Sequence, residues 1–185
     1  MRASAQEAQA VANLYDGQLL LGNKVNVASF LSALQRADIL HYAGHASIDP
    51  GGQGHLLLAP GEGDDGRLGW QELKQASGSP ELVVLSACAT AEGGLRASEG
   101  PQSLAMPFLR KGTPAVVVSL WPVDDRETRD LMVLFHSFYK KSGNAPEALN
   151  RAIIQMKNQP RSISNSTLAA FQALGGNNKK GNHKR

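Results

Sequence analysis

The chain has 185 residues and a mass of 19.7 kDa, enough for one domain with a short tail. Hydrophobic residues make up 42% and charged residues 19%, so the chain can bury a substantial core and wholesale disorder is excluded. Basic residues outnumber acidic ones 19 to 16, but Lys179, Lys180, Lys184 and Arg185 stand together in a tail without an acid. Without those four, 15 basic residues face 16 acidic ones, so the folded part is close to neutral. The sequence pI of about 9.1 therefore belongs to a solvated terminus and does not point to a specific nucleic-acid partner.

Cys88 is the single cysteine, which excludes an intrachain disulfide and a Cys-rich zinc site and fits a reducing compartment. No apolar run approaches the ~20 residues that span a bilayer. The first fifteen residues lack the apolar centre of a secretory signal. The expectation is a cytoplasmic protein without a membrane partner.

Residues 3–15 are Ala-rich and read as helical, ending at the turn Asp16-Gly17. In 26–37, Val27, Phe30, Leu31 and Leu34 fall at helical spacing. The run ILHYAG (39–44) is short and ends in glycine, which predicts a buried strand. Asp49 to Gly52 is a turn, HLLLAP (55–60) a second strand, 61–67 a polar loop and 68–76 a short helix. ELVVLSAC (81–88) is continuously apolar at Leu82, Val83, Val84 and Leu85, the mark of a parallel strand covered on both faces. A Gly-rich loop follows. Pro101 then opens a helix that Gly112 closes, with Pro107 inside it. PAVVVSLW (114–121) is another continuously apolar strand. Asp124, with Glu127 three residues on, reads as a capping-box variant opening a helix to about Tyr139. Pro146 opens a further helix to about Lys157. STLAAFQALG (166–175) fits a helix or a strand equally.

Strands alternating with helices predict an α/β domain with a mainly parallel sheet. In such sheets reactive groups collect past the carboxyl ends of the strands. That rule selects His45 and Cys88, each read as standing just after its strand. A thiol becomes a strong nucleophile as a thiolate, and an imidazole can take its proton. Backbone N–H groups of Ala46 and Cys88 are candidate donors to an oxyanion. The competing reading is that a lone cysteine at the end of an apolar strand is an inert buried residue. His41 and His45 form an HxxxH pair and would share a strand face, but no Glu stands beside either and no further ligand is evident. No metal or cofactor is expected.

ADILHYAGHA (37–46), LVVLSACAT (82–90) and EGPQSLAMPFLRKGTPAVVVSLWPVDD (99–125), with AAFQALG (169–175), resemble the successive motifs of CHAT domains. These are caspase-like peptidase domains often joined to tetratricopeptide repeats. Four separated motifs in the right order make the resemblance specific over about residues 19 to 175. It implies a three-layer caspase-hemoglobinase-like fold, with a mainly parallel central sheet flanked by helices. It also implies a Cys–His dyad, with His45 as base and Cys88 as nucleophile, in a cysteine endopeptidase working through a thioacyl-enzyme. The family more often has Gly where Ala46 stands, and usually has Trp where Leu168 stands. The alternative is a catalytically silent caspase-like interaction module.

LWPVDD (120–125) also resembles a stretch of separases, related peptidases that cleave after arginine. By that resemblance Asp125 would hold a basic side chain at the substrate's P1 position, although acids at a helix start are favoured in any case. Glu99 either orients the loop after Cys88 or serves as a helix N-terminal acid. Trp70 and Trp121 read as core or pocket-wall aromatics. The expected division is an N-terminal helical segment or remnant (1–18), the peptidase domain (19–175) and a disordered basic tail (176–185). The family's usual first strand is not evident in 1–18, which suggests truncation. Expected partners are a protein or peptide substrate and helical-repeat regions outside this chain.

Overall fold

The computed structural model of the chain describes residues 2–49, 51–91, 100–121, 123–159 and 163–176. The basic tail from residue 177 and Glu99 lie outside the described residues.

Among the described residues, six strands form one sheet in the order β3-β2-β1-β4-β5-β6. They are β1 (Ile39–Ile48), β2 (Gly54–Leu57), β3 (Arg67–Leu68), β4 (Leu82–Ala91), β5 (Ala115–Ser119) and β6 (Phe171–Gly175). β1, β4 and β5 run parallel, as the continuous apolar runs predicted. β2 and β3 extend the sheet as antiparallel strands on one side, and β6 does so on the other. The helices are α1 (Arg2–Tyr15), α2 (Val27–Arg36), α3 (Trp70–Gln75), α4 (Gly100–Arg110), α5 (Asp125–Ser142), α6 (Ala145–Lys157) and α7 (Asn165–Ala169). The ambiguous segment 166–175 is therefore both a short helix and a strand.

The strand period of two divides the central strands between two cores. Val83, Leu85, Val116 and Val118 face Phe30 and Leu34 of α2, Leu73 of α3 and Phe108 of α4. Leu82, Val84, Ala115 and Val117 face Leu131 and Phe135 of α5 and Leu149 and Met156 of α6. Covering on both faces is why these strands read as unbroken apolar runs rather than alternating ones. α1 packs on the second face, against α5 and β1.

The helix boundaries follow local chemistry. Asn26 and Ser29 bond each other's backbone N–H reciprocally and start α2. Gly143, at φ 63°, closes α5 in the left-handed region that glycine tolerates. Asp124 caps α5 by accepting from the N–H groups of Arg126 and Glu127. Glu127 does not complete the box with Asp124. Its carboxylate instead accepts hydrogen bonds from the Thr167 hydroxyl and the Ser164 N–H, tying α5 to α7. A tertiary partner thus took the side chain that the local pattern assigned to the cap. Neither tryptophan is a core residue: Trp121 is exposed and donates to Ser166, and Arg110 lies 5.4 Å over the half-buried Trp70 ring.

Asp124→Ala should destabilise the domain by about 1 kcal/mol through loss of the cap. Thermal unfolding should register this as a fall of a few degrees.

Candidate active site

β1 and β4 run in parallel register from Ile39↔Leu82 to Ile48↔Ala91. Within that register His45 is the direct partner of Cys88. Neighbouring strands are about 4.8 Å apart, so the two residue types of a thiol–imidazole pair stand on adjacent backbones. The sequence reading set both residues just beyond their strands, and here the structure differs. β1 continues through Ile48, because residues 45–48 gain a second partner in β2, and β4 continues beside it to Ala91. Gly44 reads locally as a terminator, but pairing on both edges carries the strand past it.

His45 is the exposed residue of β1. It lines a narrow cleft of about 50 Å³ with Ser4 and Glu7 of α1, Ser86 of β4, Ser119 of β5, and Asp125 and Thr128 of α5. Asp125, the first residue of α5, is exposed on that wall. The Thr128 hydroxyl is buried there with no hydrogen-bond partner among the described residues. Ala46 is buried, opposite Ala89 of β4 and Leu56 of β2. Of the four site residues read from the sequence, the fold brings His45 and Asp125 to one cleft and aligns Cys88 with His45.

Beneath the cleft is a buried polar chain that the sequence reading missed. Glu7, 3% exposed, sits 3.0 Å from Nε2 of His41. Nδ1 of His41 is 3.0 Å from Nε2 of His136, which is fully buried on α5. Nδ1 of His136 is 3.1 Å from the Tyr15 hydroxyl of α1. The Tyr15 hydroxyl also donates to the His136 carbonyl at 3.2 Å, so the phenol meets both the ring and the backbone of His136. Burial, and then the nearby His41, push the His136 pKa well below its ordinary value, so that ring is neutral. Burial, and then Tyr139, raise that of Tyr15, which stays a donor.

The chain spans α1, β1 and α5, elements that are far apart in sequence. Only the alternation in 39–45 hinted at it, since His41 falls on the same strand face as His45. The HxxxH pair is thereby split: His41 is engaged by Glu7 and His136, while His45 faces the cleft. Among the described residues no group of three His, Cys, Asp or Glu side chains is placed to hold a metal ion.

The sequence model of the CHAT domain family matches residues 1–176. The chain belongs to that family. The CHAT domain is a caspase-like, peptidase-type module, and its match takes in α1 as well as the sheet. The chain is also 26% identical, over 210 aligned positions, to tetratricopeptide repeat protein 28 of Mus musculus. That alignment covers 95% of this chain, which spans about 8% of the length of that relative. Among the described residues no helix is long and apolar enough to cross a membrane.

The neutral, buried His136 makes the stability of this CHAT domain pH-dependent. Its folded pKa is depressed, so between that value and the unfolded value near 6.5 the unfolded chain binds a proton that the folded chain does not. Stability is thus lost as pH falls below about 6.5, with a limiting slope for one proton of about 1.4 kcal/mol per pH unit. Chemical denaturation between pH 7.5 and 5 should show this slope, and His136→Gln should flatten it.

Proposed function

We propose that this CHAT domain is a cysteine endopeptidase in which Cys88 is the nucleophile and His45 the general base. The register of His45 with Cys88 carries the reading. His45 takes the thiol proton, and the thiolate adds to the scissile carbonyl carbon. Backbone N–H groups of Cys88 and Ala46 are the proposed donors to the oxyanion that forms. As the tetrahedral intermediate collapses, the C–N bond breaks and the imidazolium returns the proton to the leaving amine. Water, deprotonated by His45, then hydrolyses the thioacyl-enzyme and frees Cys88.

The site would prefer a basic residue at P1. Asp125 and His45 line the same cleft, with Ser86 and the unpartnered hydroxyl of Thr128 on its wall among the described residues. A carboxylate in the same cleft as the general base can pair with an ammonium or guanidinium group. The partners of such an enzyme are peptide substrates, together with helical-repeat regions of the kind named in its mouse relative.

A second reading, a catalytically silent interaction module, is favoured by one observation. Ala46 lies in a strand paired on both edges, and an in-plane N–H there points into one ladder or the other. Its use as an oxyanion donor requires that ladder to yield when substrate binds.

Iodoacetamide labelling at near-neutral pH separates the two readings. Cys88 should react several-fold faster than a free thiol, and His45→Ala should remove that excess. Equal rates in both proteins would favour the silent module. In a panel of fluorogenic peptides differing only at P1, Arg and Lys should be cleaved best. Asp125→Asn should lower kcat/KM for those two by about 10–100-fold, the worth of a hydrogen bond to a charged group. Better cleavage after Asp or a neutral residue would remove the P1 assignment.

A further inference from the structure

The backbone at His45 is held in an unusual way. His45 and Leu57 are opposed in the antiparallel β1–β2 pair, where two residues ordinarily exchange N–H and C=O groups or face each other unbonded. Here a side chain also enters the ladder. The hydroxyl of Tyr42, three residues earlier on β1, accepts the N–H of His45 at 3.2 Å and donates to the Leu57 carbonyl at 2.7 Å. The His45 carbonyl lies 3.0 Å from the same oxygen. Both backbone polar groups of His45 therefore converge on one phenol.

That arrangement needs Gly44. A Cβ built on Gly44 would come within 2.4 Å of the Tyr42 hydroxyl oxygen and 2.5 Å of its ring carbon Cζ. The phenol lies across the space that any other residue at 44 would fill. Its ring is anchored below, buried at 7% exposure and meeting Phe30 of α2 edge-on at 6.0 Å. Burial pushes the Tyr42 pKa up to about 12, so the hydroxyl keeps its proton across the working range.

We propose that Tyr42 is a positioning residue for His45: its hydroxyl bridges the β1–β2 ladder at His45 and fixes the backbone from which the imidazole projects. This rests on the reading of His45 as the general base. The imidazole stands exposed at the cleft, and among the described residues no side-chain hydrogen bond orients its ring, so its aim depends on the backbone beneath it. Tyr42 bonds both backbone polar groups of His45 and the Leu57 carbonyl of β2, and it does so from the opposite face of the sheet. Tyr42 thus acts on the reaction through His45 and does not touch substrate.

A double-mutant cycle tests the assignment. The rate of Cys88 alkylation by iodoacetamide is measured from pH 5.5 to 9 in the wild type, Tyr42→Phe, His45→Ala and the double variant. Thermal unfolding is followed in parallel. Tyr42→Phe keeps the ring and removes the hydroxyl. It should reduce the near-neutral rate several-fold and move the pH profile toward that of a free thiol. In the His45→Ala background it should change nothing further. Gly44→Ala, which crowds the hydroxyl while leaving the phenol intact, should reproduce the loss. It serves as the second probe if Tyr42→Phe fails to fold. An equal rate loss from Tyr42→Phe with and without His45 would make Tyr42 a purely structural residue and overturn the proposal. So would an unchanged rate with His45 present. If His45→Ala itself leaves the rate unchanged, the dyad reading fails first and takes the positioning role with it.

Discussion

Ten residues of β1 lie in unbroken parallel register with ten of β4. Everything else in the molecule is arranged around that pairing. It sets His45 opposite Cys88, and it divides the apolar side chains of both strands between two cores. A slip of one residue would do double damage, because the strand period is two. It would move His45 off Cys88, and it would turn Val83 and Leu85 toward the helices that now receive Leu82 and Val84. The packing of the two faces therefore protects the alignment of the candidate dyad. Stability and site geometry rest on the same register.

The second face carries an unusual load. Beside the apolar contacts of α5 and α6 it buries Glu7, His41 and His136, with the Tyr15 hydroxyl joining them. Burying such groups is costly unless each finds a partner, and here each does. The chain of contacts ties α1 to β1 and α5, so the helix before the sheet is bonded into the wall of the cleft. Tyr42 does a comparable job on the first face, where a phenol bonds the backbone of His45. The site is thus supported from both sides of the sheet by buried polar side chains whose partners are specific.

The readable part of the sequence was the part decided locally. The apolar runs at 82–85 and 115–118 announced covered parallel strands, because a side chain buried on either face must be apolar. Asp124 and Gly112 marked helix ends through the backbone groups that they satisfy or the dihedrals that they tolerate. His45 and Cys88 could be singled out by residue type and by strand position. The strand ends were misplaced, since pairing with β2 and β4 decides how far β1 runs and a glycine at 44 does not. The buried Glu7–His41–His136–Tyr15 chain was illegible for a related reason. Its members are separated by up to 129 positions of chain, and no local pattern records which of them will meet.

The sequence by itself determined the fold class, the two apolar strands at the centre, the family motifs and the two residue types of the candidate dyad. These follow from periodicity, composition and local backbone chemistry, all of which act over a few residues. Only the tertiary structure decided that His45 and Cys88 are register partners, that Asp125 shares a cleft with His45, and that Glu127 leaves its cap for Thr167. It alone decided that a tyrosine stands in the ladder beneath the histidine. Those are choices among partners distant in the chain. They are settled by which faces the packed sheet brings together, once the entropy of closing the loops between them has been overcome.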